Sequence, residues 1–311
     1  MPLSLRRGRV SAIHERHGGL VRLEVDGLAC VAYPSLTGPV ELGDEVLVNV
    51  QARELELGSG GFDILYANLT RGLELAAEEG AHVMVLPYTP LQHARLHLEE
   101  AGEGEAKLRG LPVVCCSLHS QVAPVCAALA GLRVAYVQLG GGALPVSLSD
   151  TLRALRERGL VAATVAVAPC FDGDVQSVSV ASALTWARVG HDVAVCAIGP
   201  GIVGTGTRFG HGGLAAAEAA NVAESLGGRP VVAVRASDAD ERGRHRGISH
   251  HTEAVLALCL GEPVVADTKA EGWREACAGL PLSHMGRGPD EDPAFFEAAF
   301  AAGVAARELL G

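Results

Sequence analysis

At 311 residues, of which 49% are hydrophobic and 20% charged, the chain is long enough to bury one large core and a smaller one. It is also too apolar for global disorder. The net charge of −11 argues against a general nucleic-acid or membrane-surface binder, because both need a basic footprint. Lysine is confined to Lys107 and Lys269, which excludes a site built on several lysines.

Arg6, Arg7 and Arg9 near the start are not followed by an apolar stretch, so no secretory signal is expected. The longest apolar run, Leu160 to Phe171, is far short of the ~20 residues that span a bilayer. A cytoplasmic location is therefore expected. None of the eight cysteines forms a C-x-x-C pair, and most fall inside apolar runs, as buried free thiols do in a reducing compartment.

The first part of the chain reads as short β-runs at Arg9–His14, Leu20–Val25, Leu28–Tyr33 and Glu45–Val50. Gly18-Gly19 and Asp26-Gly27 separate the first three and suit tight hairpins. Residues 1–68 are thus predicted to form a small SH3-like or OB-like β-barrel. Apart from Tyr33 its strands carry no stacking aromatics, so packing or protein interaction is expected of it rather than nucleic-acid binding.

Residues 69–311 alternate apolar strands with helical stretches. This predicts an α/β fold with a doubly wound, mostly parallel sheet and helices on both faces. Strands are expected at His82–Leu86, Pro112–Cys116, Val134–Gln138, Thr164–Ala168, Val193–Ile198, Val231–Arg235 and Pro263–Ala266. Helices are expected near Pro90–Ala101, Gln121–Ala130, Ser147–Arg158, Val175–Arg188, Gly213–Leu226, Ser249–Leu260, Gly272–Ala278 and Pro293–Leu310.

In such sheets ligands bind beyond the carboxyl ends of the strands. The loops there are Ser117–Gln121, Leu139–Pro145, Pro169–Asp174, Gly199–Thr207 and Ala236–His251, and all carry glycine, hydroxyl, carboxylate or imidazole groups. The loops at the other end are plain connectors. Gly199, Gly201 and Gly204 make a formal G-x-G-x-x-G, but no helix opens inside it and no acidic residue stands at the dinucleotide spacing. A backbone nest for an anion, aided by the Thr205 and Thr207 hydroxyls, fits better, beside the plainer alternative of a glycine turn without a ligand. The lysine of a phosphate-binding P-loop is absent.

Arg235–Thr252 is the densest polar segment. Ser249 is placed to cap the following helix, which puts His250 and His251 in its first turn, where the dipole disfavours imidazolium. Neutral imidazoles serve as metal ligands or general bases. Arg242, Arg244 and Arg246 can receive phosphate or carboxylate. No cofactor is specified. A divalent metal is a candidate, with His119, Asp174, Asp238, His245, His250 and His251 as suitable ligands, although no spacing among them is diagnostic. His93 and His97 stand at i, i+4 on an expected helix but lack the H-E-x-x-H pattern, so an exposed polar face explains them better. Ser120 beside His119 is not in a G-x-S-x-G nucleophile elbow.

Five strings carry a resemblance. They are Tyr88-Thr89-Pro90-Leu91-Gln92, Leu118-His119-Ser120-Gln121, Gly142-Ala143-Leu144-Pro145, the Gly199–Thr207 loop, and Arg244-His245-Arg246-Gly247-Ile248-Ser249-His250-His251-Thr252. Together they resemble the bacterial domain-of-unknown-function family 3866. The resemblance implies no activity. In that family the loop after the Thr164 strand usually reads Gly-Gly-Asp, with an acidic residue and an Asn following. Here Asp174 matches, whereas Asp172, Gln176 and Ser179 depart, which speaks against a catalytic acid at position 176.

The expectation is an enzyme, a hydrolase or transferase, acting on a small anionic or phosphorylated molecule. His250, His251, Asp238, Asp174 and His119 are the candidate catalytic groups. Gly199, Gly201, Gly204, Thr205, Thr207, Arg244 and Arg246 are the candidate ligand-binding groups. The alternative is a non-enzymatic ligand-sensing or protein-interaction module. A homo-oligomer is expected on general grounds, and neither nucleic acid nor membrane is an expected partner.

Overall fold

Asp26 and Gly27 both adopt positive φ, 51° and 77°, as a two-residue type I′ hairpin requires. In the computed structural model, which describes residues 3–57, 60–71, 74–102 and 107–311, this turn helps start a five-stranded barrel. The expected domain spans at 1–2, 58–59, 72–73 and 103–106 lie outside the described residues. Two units form, one of residues 1–80 with 87–92 and one of 81–86 with 93–311.

The barrel contains β1 (Leu5–His17), β2 (Leu20–Val25), β3 (Leu28–Ala32), α1 (Pro34–Thr37), β4 (Glu45–Asn49), α2 (Gln51–Glu54) and β5 (Asp63–Asn68). Its closed order is β1-β2-β3-β5-β4. β1 pairs with β4 through Leu5–Arg9 and with β2 through Val10–His17, bending at two register shifts between these partners. β3 and β5 run parallel, which makes the barrel a Greek key and favours the OB-like alternative. Val10, Leu23, Val25, Val46, Val48 and Leu65 fill it. Asp44 is buried and accepts from Asn68 Nδ2 at 2.8 Å and Arg71 Nε at 2.7 Å.

The second unit corrects one stretch of the sequence reading at once. β6 (Val83–Val85) and β7 (His93–Arg95) form a separate antiparallel hairpin, and Leu98–Ala101 is a 3₁₀ turn, so no helix covers 90–101. The His97 N–H is accepted by Glu100 at 2.9 Å, and its ring Nδ1 pairs with the Arg95 carbonyl at 2.8 Å. His93 and His97 therefore share no helix face.

The parallel sheet follows, with β8 (Pro112–Cys116), α3 (Val122–Ala128), β9 (Val134–Leu139), α4 (Asp150–Glu157), β10 (Ala163–Val167) and β11 (Val175–Ser177). Then come α5 (Val180–Arg188), β12 (Val193–Ile198), α6 (Ala215–Ser225) and β13 (Arg229–Val232). A short ribbon pairs β14 (Ala236–Ser237) with β15 (Gly247–Ile248). The chain continues through α7 (His250–Leu258), β16 (Val264–Val265), α8 (Trp273–Ala276) and α9 (Pro293–Glu308). β11 occupies what reads in sequence as the first turn of a helix.

The sheet order is β11-β10-β9-β12-β8-β13-β16, and every pair is parallel. The chain steps one way from β8 to β9 to β10, then back through β12, β13 and β16. Crossovers of one hand must place the helices of these two series on opposite faces. They do: α3, α4, α8 and α9 pack in one core, and α5, α6 and α7 in the other. β8, β9 and β12 are buried on both faces, which is why they read as unbroken apolar runs. Because β12 lies between β9 and β8, its exit loop departs to the face opposite theirs. Crevices open at such points. Among the described residues, no helix is long and apolar enough to cross a membrane.

Candidate functional site

The loops at the centre of the sheet are held together backbone to backbone. A side chain on Gly142 would collide with the Gly199 carbonyl, and one on Gly204 would lie 2.8 Å from the His211 Cα. Gly199 and Gly204 thus serve close packing, whereas a Cβ on Gly201 would meet nothing within 4 Å, and the Gly204 contact fixes His211 at the base of the loop. Thr205 N–H donates to the Gly210 carbonyl at 2.6 Å, and the Thr205 and Thr207 hydroxyls pair at 2.9 Å. Those donors are turned inward on the loop. Gly206 faces the Arg244 guanidinium, which would lie 3.6 Å from a Cβ there.

After β13, the β14–β15 ribbon closes the polar segment into a compact loop. Ser249 N–H donates to the Arg235 carbonyl at 2.8 Å, and the Ser249 hydroxyl accepts the His251 N–H at 3.2 Å as the cap of α7. The capping read from the sequence is therefore present. From the other side, Gln121, fully buried after β8, donates to the Ala233 and Val234 carbonyls at 3.2 Å each.

These constraints gather four imidazoles. His211 stacks on His251 with ring centroids 3.7 Å apart, and His250 lies 4.6 Å from His251 and 4.8 Å from His245. His245 Nδ1 meets the Ser249 hydroxyl at 2.7 Å. Neither nitrogen of the buried His211 has a well-aligned hydrogen-bond partner, and neither does the buried Nε2 of His250. All four rings are held neutral. Burial pushes His245 down to about 3 and His251 to about 2, and in both the Arg235 guanidinium adds to it. Burial also lowers His211, with His250 adding to it, and lowers His250, with Arg244 adding to it.

Arg235 is the cation beneath this cluster. It is 2% exposed, and its Nη1 donates to His251 Nδ1 at 2.9 Å. Arginine can only donate, so the neutral His251 ring carries its proton on Nε2. Burial and neighbouring Arg242 lower Arg235 to about 10. Asp240 gathers three guanidinium groups, with Arg242 bidentate at 2.8 and 2.9 Å, Arg287 at 3.4 Å and Arg235 at 3.6 Å. The Arg242 bonds and charge, against the opposing effect of burial, hold its carboxyl far below the ordinary range. Asp292 completes the network, accepting from Ser237 Oγ at 2.7 Å and Arg287 Nε at 3.2 Å. His284 lies flat on Phe295 at 3.7 Å and meets the Ser120 hydroxyl through Nδ1 at 3.2 Å.

Of the residues singled out in sequence, His245, His250 and His251 come together, and Arg244 meets the glycine loop. Asp238 and Arg246 are exposed on the same loop, while Asp240 is the carboxylate that points inward. His119 is a buried strut. Its Nδ1–H donates to the Ile198 carbonyl at 3.3 Å and its Nε2 accepts from Ser149 Oγ at 2.7 Å, and burial pushes it down to about 4. Asp174 sits at the amino edge of the sheet, where it accepts from Thr164 N–H at 2.8 Å and pairs with Arg156. The loop after β10 returns to that edge because β11 follows without a helix. His211, Arg235, His284, Arg287 and Asp292 were not among the sequence candidates. The one local signal was His211 in a glycine run; the others are united only by the fold.

No curated protein matches the chain. A family model described as protein of unknown function (DUF3866) matches residues 29–272. That span takes in the barrel from β3 onward, all four clustered imidazoles and Arg235, and the chain belongs to this family.

Proposed function

We propose that the α/β unit is an enzyme that binds a small anionic or phosphorylated molecule at the carboxyl ends of β12 and β13, and catalyses its hydrolysis or group transfer in the cytoplasm of a bacterial cell. One observation carries this reading: four imidazoles cluster over the buried Arg235, beside the exposed Arg244. A cation at that depth attracts negative charge, and Arg244 and Arg246 on the outer loop suit planar oxyanions. His250 is the best-placed proton acceptor, since burial favours its neutral form, the residue is half-buried and its Nε2 has no hydrogen-bond partner. The eight free cysteines suit a reducing compartment.

Calorimetric titration of the full chain with inorganic phosphate and pyrophosphate tests the binding step. Arg244→Ala should weaken it by roughly 10- to 100-fold, the value of a charge-assisted hydrogen bond of about 1.5–3 kcal/mol. A panel of phosphate monoesters tests turnover, which His250→Asn should abolish while leaving phosphate affinity within about threefold. Binding without any turnover would favour a ligand sensor over an enzyme. Absence of anion binding would overturn both.

A further inference from the structure

We propose that His245, His250 and His251 form a three-imidazole site for a divalent transition-metal ion of the zinc type, with one coordination position left open. The inference rests on the preceding reading in what fills that fourth position, and it gives the His250 Nε2 lone pair to the ion in place of a proton. One nitrogen from each ring lies within 4.8 Å of the other two. Imidazole nitrogens bound to a tetrahedral ion at 2.0–2.1 Å stand about 3.4 Å apart, so modest side-chain rotation closes the set.

Each ring is prepared in a different way. His250 presents a buried Nε2 with no hydrogen-bond partner, an arrangement proteins avoid unless something fills the lone pair. The Ser249 hydroxyl at 2.7 Å from His245 Nδ1 can accept that nitrogen's proton, which orients the ring and leaves Nε2 as the ligand atom. The Nδ1 lone pair of His251 already meets a cation, the Arg235 guanidinium at 2.9 Å. A metal ion competes for that lone pair. Arg235 has somewhere to go, because its Nη2 is 3.6 Å from Asp240 Oδ2.

His211 is not a fourth ligand in this arrangement. Its ring is stacked on His251, 16° from parallel at 3.7 Å, and two stacked rings cannot aim in-plane lone pairs at one ion. It walls the site instead. An all-imidazole set selects zinc, cobalt, copper or nickel over magnesium or calcium, which want oxygen ligands. Three-imidazole sites with an open position hold water or substrate there, and Arg242 and Arg244 nearby favour an anionic occupant.

Chelator-stripped full-length protein titrated with Co(II) tests the proposal. The expected result is one equivalent bound, with the visible absorption of tetrahedral cobalt. His250→Ala, a half-buried position in the first turn of α7, should lower the affinity by at least about tenfold, and His191→Ala, elsewhere in the unit, should leave it unchanged. Imidazole ¹⁵N spectra of the wild-type protein give a readout that needs no variant, since Zn(II) should shift three histidines together. Weak, featureless binding, equal affinity in His250→Ala, or no coordinated shift of three imidazoles would overturn the site. Phosphate titration in chelator separates the two readings. Phosphate binding without cobalt binding refutes the metal site alone, and cobalt binding without phosphate binding refutes the anion reading alone.

Discussion

Buried histidines make the α/β unit acid-sensitive, and the share of three of them can be worked out. His245, His251 and His284 are 2%, 6% and 2% exposed. Burial first, and Arg235 next, lower them from 6.5 to about 3, about 2 and about 3. In the unfolded chain each ring takes up a proton near pH 6.5, while in the fold it stays neutral. The unfolded state therefore binds more protons below that pH, and stability falls as pH drops from 6.5 toward the folded values. Above pH 6.5 the penalty is absent. Each fully unmatched proton costs about 1.4 kcal/mol per pH unit, so between pH 6 and 5 each ring loses about 1 kcal/mol and the three together about 3. In a unit of this size that is a fall in Tm of roughly 6–12 °C. Scanning calorimetry in chelator, at constant ionic strength, measures it. His284→Leu, at the ring stacked on Phe295, should remove its share, about 1 kcal/mol between pH 6 and 5. A Tm that stays constant from about pH 7 to 5, or a slope untouched by this change, would refute the reasoning.

Two further substitutions test the packing around the cluster. Asp240→Asn leaves Arg235 buried without its carboxylate and should cost about 3–5 kcal/mol in denaturant unfolding, whereas Asp238→Asn, exposed two residues away, should stay within about 0.5 kcal/mol. Equal effects of the two would mean that Asp240 does not neutralise Arg235. Phe295→Ala removes a fully buried ring packed on His284 and Phe296, and a loss of about 3–5 kcal/mol is expected; a loss below about 1 would show the site collapsing around the gap.

The barrel was legible because its turns are marked by Gly18-Gly19 and Asp26-Gly27, and its register follows from the turns. The central sheet was legible because strands buried on both faces leave apolar runs. β11 was not, since Val175-Gln176-Ser177 on a sheet edge carries no period of its own. The helix expected over Pro90–Ala101 failed because Gln92 accepts from Tyr88 N–H at 3.1 Å and Glu100 from His97 N–H, stabilising a turn and a cap instead. In the site, the string from Arg244 to Thr252 was visible as a polar run beside a helix start. What was not visible is which carboxylate points inward. Asp238 and Asp240 look alike in sequence, and only the ribbon of β14 and β15 decides that Asp240 faces the arginines. His284 joins from the far end of the chain, beyond any local pattern.

The electrostatics of the buried network also bear on what the imidazole cluster is for. Arg235, Arg242 and Arg287 converge on Asp240 and Asp292, so three positive charges meet two negative ones. The imidazoles above them are neutral and add no compensation. Asp240 gives its shortest bonds to Arg242, on both oxygens, and Arg235 holds only the longest contact, at 3.6 Å. The surplus charge therefore falls on Arg235, the most deeply buried of the three arginines, whose Nε has no partner. A buried, underpaired guanidinium is a cost that a purely structural cluster would avoid by using an apolar side chain of similar volume. The cost is offset if negative charge arrives at the strand ends, as a free anion or as one held on a metal ion. That is why the same residue, Arg235, links the two proposals: it attracts the anion, and it occupies the lone pair of His251 until an ion takes it.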